Sequence, residues 1–131
     1  MYMEPSNYFE IVSTADQILH LRQMGNWSAD VMVELAEPFL TQFCAAVDRL
    51  AGQPFFALVD TTQLAPPSAE AMAVIGQAVK YIRAHNLVKV VEVMPPEIVQ
   101  AAQQSEKRDF LIIVESIEEG RAKIEALKKA L

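Results

Sequence analysis

One cysteine, Cys44, is all the thiol chemistry that this 131-residue chain carries. That excludes an internal disulfide and any cysteine-based zinc site. Glycine is scarce as well. Gly25, Gly52, Gly76 and Gly120 stand apart, so no G-x-G-x-x-G or Walker loop is present to cradle phosphates. No apolar run exceeds strand length, which rules out a bilayer-spanning helix. Positive charge is in short supply, with 11 Lys and Arg against 17 Asp and Glu. The resulting net charge of −6 speaks against nucleic acid, whose affinity rests on basic contacts to phosphates, and against anionic membrane surfaces. The first residues, Met1-Tyr2-Met3-Glu4-Pro5, lack the basic-then-apolar layout of a signal peptide, so a cytoplasmic protein is expected. Neither a Ser-His-Asp set nor a Glu-x-x-His pair occurs, and no cofactor or metal is expected. The two histidines, His20 and His85, fall in separate elements and read as structural.

What is present is a clear alternation of strands and helices within one domain spanning residues 1–131. Tyr8 to Ser13 and Ile18 to Met24 show the period of two that marks half-buried strands, joined closely enough for an antiparallel hairpin. Ser28 is placed to cap a first helix whose apolar positions include Leu40, Phe43, Val47 and Leu50. Pro38 lies inside that helix and is expected to kink or break it near Glu37. Phe55 to Thr61 is an apolar, central strand. Ala69 to His85 follows as a helix with a core stripe at Met72, Ile75, Val79 and Ile82. Val88 to Met94 is a fourth strand, Pro95-Pro96-Glu97 opens a short helix, and Phe110 to Glu115 is a fifth strand. Ser116-Ile117-Glu118-Glu119 has the form of a capping box opening the last helix. The order β-β-α-β-α-β-α-β-α predicts a five-stranded, mostly parallel mixed sheet with an antiparallel N-terminal edge strand. Because His20, Arg22, Lys89 and Glu92 interrupt the apolar pattern of the strands, helices mainly on one face are expected.

Three groups of residues invite a functional reading. At the tip of the third strand, Asp60, Thr61 and Thr62, with Ser68 and Ala69 at the next helix start, form a polar rim for a partner or a switch. Phosphoryl chemistry on Asp60 would need further carboxylates after the early strands, and Ser13-Thr14 and Met24-Gly25 supply none. In the plain reading, these groups satisfy turn amides and Ser68 is an N-cap. On the second helix Val74, Ala78 and Tyr81 widen the apolar band, either as packing or as a protein-docking surface. Trp27, Met32, Phe39 and Phe43 could line a cleft between the first helix and the sheet for a small apolar ligand.

The element order and the segment Val59-Asp60-Thr61-Thr62-Gln63-Leu64 resemble the STAS fold, the sulfate-transporter and anti-sigma-factor-antagonist family, and its SpoIIAA-like branch. Asp60 matches that family's strand acid, and Ile117-Glu118-Glu119-Gly120-Arg121-Ala122 looks like the final helix of SpoIIAA-like chains. Ungapped counting sets Ser68-Ala69-Glu70-Ala71 on the family's Asp-Ser-Ser-Gly turn. The phosphoacceptor position then falls on Ala69, and a shift of one residue would place it on Ser68. The resemblance implies a non-catalytic, bacterial signalling module that binds a regulatory protein partner without the usual switch. For the SpoIIAA-like branch it implies, alternatively, a small apolar or lipid ligand. Whether the chain forms a homodimer stays open.

Overall fold

The hairpin expected from the period-two pattern forms as β1 (Phe9–Thr14) and β2 (Ile18–Gly25), antiparallel, with Ile11 opposite Leu21 and Val12 opposite His20. The computed structural model, which describes residues 3–131, continues with β3 (Phe55–Leu64), β4 (Leu87–Val93) and β5 (Leu111–Val114). Each is parallel to its predecessor, so the sheet order is β1-β2-β3-β4-β5. The reading of the N-terminal residues rests partly on Met1 and Tyr2, which lie outside the described residues. The crossovers are α1 (Ala29–Asp48), α2 (Ala69–Arg83) and α3 (Pro96–Ser105), and α4 (Ile117–Lys129) closes the chain. A short 3-10 turn, Pro5–Asn7, precedes β1.

Side-chain parity divides the core in two. Leu19, Leu21, Phe55, Ala57 and Val90 point toward α1 and α2. Ile18, Phe56, Leu58, Val91, Val93 and Val114 point the other way, toward Ile124 of α4. Thus α1 and α2 share one face, α4 covers the opposite face over β3 to β5, and of the hairpin only its Ile18 end is covered on that side, leaving Val12 53% exposed. β3 and β4 are apolar on both sides because both sides are covered.

Each long helix starts where the sequence places a hydroxyl. Ser28 Oγ accepts from Val31 N at 3.3 Å, Ser68 Oγ from Ala71 N at 3.1 Å, and Ser116 Oγ from Glu119 N at 3.1 Å. The return arm of the last box reaches Glu115 N, at 3.3 Å from Glu119 Oε2, instead of the cap residue itself.

Two expectations need correction here. Pro38 does not break α1, which runs unbroken from Ala29 to Asp48. One backbone donor is lost, but buried Leu35 and Phe39 on either side pin the helix to the sheet. On α2 the expected core stripe holds only at Ile82, and the buried face otherwise follows the second row, of which Tyr81 alone is half-buried. Ala71, Val74, Ala78 and Ile82 are the buried positions. Of the predicted core stripe, Ile75 and Val79 are only half-buried and Met72 is 54% exposed. Both rows have helical spacing, so periodicity does not choose between them; the nearness of α1 does.

Candidate functional site

The face carrying α1 and α2 is not filled. Between the sheet, these helices and α3 lies a cavity of about 560 Å³. Volumes of roughly 300–1,000 Å³ are typical of small-molecule sites. The walls are apolar: Leu19, Leu21, Ala57, Val59 and Val90 from the strands, Phe39 and Phe43 from α1, and Ile75, Val79 and Ile82 from α2. Met72 on α2 and Ile98 on α3 also line it and are 54% and 50% exposed. These two side chains form apolar lips where α2 and α3 diverge.

The gap has a local cause. α3 is only ten residues long, and Val99 is its single buried residue. Its other tie to the sheet is polar, Gln103 Nε2 donating to Ile113 O at 2.8 Å. A helix attached so lightly to a four-residue strand does not close the space beside α2. Past α3, Phe110 lines the cavity with Arg83 and Arg108 over its ring, at 4.6 and 5.7 Å from the centroid.

Three polar side chains interrupt the sheet wall on adjacent strands: Gln23 on β2, Thr61 on β3 and Glu92 on β4. The Thr61 hydroxyl is shared between Glu92 Oε2 at 3.3 Å and Val93 O at 3.0 Å. Burial pushes the Glu92 carboxyl above its ordinary range, against the opposing pull of the Thr61 hydrogen bond and the Arg108 charge. Gln23 is only 4% exposed, and its amide Nε2 has no hydrogen-bond partner. Leaving such a donor unpaired costs about 1–3 kcal/mol. Arg108 also borders the cavity, but its guanidinium is held by Glu106 through two contacts of 2.7 Å. That pairing pulls the Glu106 carboxyl down to about 2.

The rim expected from the sequence is dispersed. Asp60 and Thr61 are consecutive strand residues and project to opposite faces, so Thr61 joins the cavity while Asp60 does not. Asp60 Oδ1 accepts from Thr62 N at 2.9 Å and Thr62 Oγ1 at 2.7 Å, a local pairing within β3 where its register against β2 shifts. It borders a shallower groove with Glu10, His20, Arg22 and Arg121. There the His20 imidazole, shifted down by burial, lies 3.3 Å from Thr14 Oγ1. Ser68 Oγ donates to Trp27 O at 2.8 Å while it caps α2, which ties the β3–α2 loop to the β2–α1 loop. Ala69 is exposed at the first turn of α2 and has no hydroxyl.

Of the suggested docking row, Val74 and Ala78 are buried against α1, and Tyr81 donates to Asp48 Oδ1 at 2.6 Å. No free surface exists at Val74 or Ala78. Of the four cleft residues, Phe39 and Phe43 line the cavity. Trp27 and Met32 do not; both are core, and the indole Nε1 of Trp27 donates to Met24 O at 3.0 Å. Trp27 meets Phe39 edge-on at 5.0 Å and seals that end of the core.

Gln23, Glu92, Arg108, Met72 and Ile98 are the site residues that sequence reasoning missed. The first two carried a signal. Gln23 has the parity of Leu19 and Leu21, and Glu92 that of Val90, so each is a polar residue on an apolar face. Among the described residues, no group of three or more His, Cys, Asp or Glu side chains gathers to hold a metal ion. Nor is any described helix long and apolar enough to cross a membrane.

This arrangement, an antiparallel edge strand followed by β-α repeats with a short helix before the last strand, is the STAS fold in its SpoIIAA-like form. Two solved structures carry that statement. One is the anti-sigma factor antagonist SpoIIAA in its unphosphorylated form, with a TM-score of 0.57 and 11% identity, matched over 92% of this chain and 97% of the other. The second is the Bacillus cell fate determinant SpoIIAA in the phosphorylated form, with the same score and identity, over 88% and 98%. At that identity the likeness extends to the fold alone. No protein-family profile matches the sequence, and no curated protein matches it.

Proposed function

We propose that this chain is a non-catalytic regulatory module of STAS fold whose input is a small apolar molecule held in the cavity between α2, α3 and the sheet. The observation that carries this reading is the roughly 560 Å³ apolar cavity with exposed apolar lips at Met72 and Ile98. Its opening beside loosely attached α3 gives a ligand a route in and makes that helix the natural element to respond. The SpoIIAA structures supply the regulatory half of the reading, since SpoIIAA is an anti-sigma factor antagonist. A protein partner then belongs at the α3 side or the uncovered hairpin, away from the buried Val74 and Ala78. Control by phosphate at the start of α2 is disfavoured: Ser68 Oγ is engaged as both donor and acceptor, and Ala69 has nothing to modify.

Titration with N-phenyl-1-naphthylamine, which brightens on leaving water, tests the reading. Saturable brightening is expected, weakened about tenfold or more by Val79→Trp, whose larger side chain occupies the ligand volume. Val12→Trp, on the uncovered face of the hairpin, should bind the dye like the native chain. Dye binding that is absent, or equal in the native chain and Val79→Trp, would overturn the reading.

A further inference from the structure

Resting on that function, we infer that the otherwise apolar ligand carries a protonated amine, which pairs with the Glu92 carboxylate on the sheet wall of the cavity. Glu92 has the parity of Val90, so it faces the α1 and α2 side from within the sheet, with β3 and β5 flanking its strand. One of its oxygens, Oε2, accepts from Thr61 Oγ1 at 3.3 Å. The other, Oε1, accepts from no donor among the described residues. The described side-chain polar atoms that are both enclosed and unpartnered are Ser13 Oγ and Gln23 Nε2, so Oε1 is not sealed off. The cavity is the opening on that face, and a donor entering it meets Oε1.

The charged groups of the wall select the sign of the ligand. Arg108 is the other ionised side chain there, and its guanidinium is held by Glu106 through two contacts of 2.7 Å. That pair cancels, which leaves Glu92 as a negative charge without a counter-ion. Thr61 adds no charge: its one proton is shared between Glu92 Oε2 and Val93 O, and its oxygen remains able to accept. An ammonium, with three donors, can engage Glu92 Oε1 and the neighbouring Thr61 Oγ1 together. An alcohol donates one hydrogen bond and leaves the charge uncompensated. A carboxylate would be repelled by Glu92, the more strongly for the apolar surroundings. Burial of the Glu92 carboxyl is already part of the fold, so an amine gains the attraction without adding that cost. The net charge of −6 also favours the approach of cations.

The test displaces N-phenyl-1-naphthylamine, an uncharged dye, with octylamine, 1-octanol and octanoate, which have equal chain lengths. At pH 8 octylamine enters as the cation, since an alkylamine such as the lysine side chain titrates at about 10.4. With the native chain, octylamine should compete at the lowest concentration and octanoate at the highest. In Glu92→Gln, which keeps the size of the side chain and an acceptor for Thr61, octylamine should weaken about tenfold or more, the worth of a hydrogen bond to a charged group. The dye and 1-octanol should bind that variant much as they bind the native chain. Glu92→Met provides the same comparison if the glutamine variant does not fold. Octylamine competing no better than 1-octanol or octanoate, equal losses for octylamine and 1-octanol in the variant, or no loss for octylamine would overturn the inference. All of these leave the dye bound to the native chain, so the proposed function would survive them. Absence of dye binding to the native chain would instead remove that function, and this inference with it.

Discussion

The two faces of the sheet are packed to different standards. Under α4 the fit is so close that a β-carbon added at Gly120 would sit 2.8 Å from Leu58 Cδ1, 3.4 Å from Val91 Cγ1 and 3.5 Å from Val114 Cγ2. Under α2 and α3 the same sheet borders a partly open pocket of about 560 Å³. One set of strands supports both, so the cavity is not a failure of the strands to present apolar residues. It follows from what each helix brings: a glycine that lets α4 settle onto β3 to β5, against a short α3 with one buried side chain.

Enlarging a side chain on each face should break or sharpen this contrast. The largest effect is expected from Gly120→Val, which forces branched carbon into Leu58 and Val91 and should cost about 3 kcal/mol in urea unfolding. An unchanged midpoint would mean that the α4 face has slack and that the contrast is false. Next is Gln23→Leu, which removes the unpartnered amide and should raise stability by about 1–2 kcal/mol. A loss would show that Gln23 is already satisfied. Val79→Trp points into empty space and should change stability by less than about 1 kcal/mol in either direction. A penalty like that of Gly120→Val would mean that the cavity is closed in solution.

The smallest effect concerns pH. The folded Glu92 carboxyl has a raised pKa, so the folded state holds a proton that the unfolded chain, near the ordinary 4.5, has already released. Stability therefore falls as pH rises above 4.5 and levels off once folded Glu92 has ionised. Glu92→Gln cannot ionise, so its thermal midpoint relative to native should climb across that interval and be flat at higher pH. A constant difference between the two chains would show that Glu92 titrates normally.

Much of the fold was legible from pattern alone. Period-two segments gave the hairpin, the apolar run gave β3, and hydroxyls before helix-period segments marked the three long helix starts. Strand alternation also signalled that one sheet face was incompletely covered, since His20 and Arg22 do line an open groove on the hairpin. The site was harder to read because a cavity is defined by missing contacts, and no residue encodes a contact that is missing. Consecutive polar residues at Asp60, Thr61 and Thr62 suggested a cluster, although strand geometry separates the first two onto opposite faces. On α2, two rows with equal helical spacing competed, and only the position of α1 decided that Val74 and Ala78 were core while Ile75 and Val79 faced the space. The signal overlooked was parity: Gln23 and Glu92 each break an apolar face.

Methyl-resolved NMR during titration with N-phenyl-1-naphthylamine tests the central claim most directly. Shifts are predicted for the methyls of Ile75, Val79, Ile98 and Leu111, which border the cavity, with the methyls of Leu58, Val114 and Ile124 beneath α4 unmoved. No shifts at saturation, or shifts concentrated under α4, would contradict the assignment of the ligand to the loosely packed face.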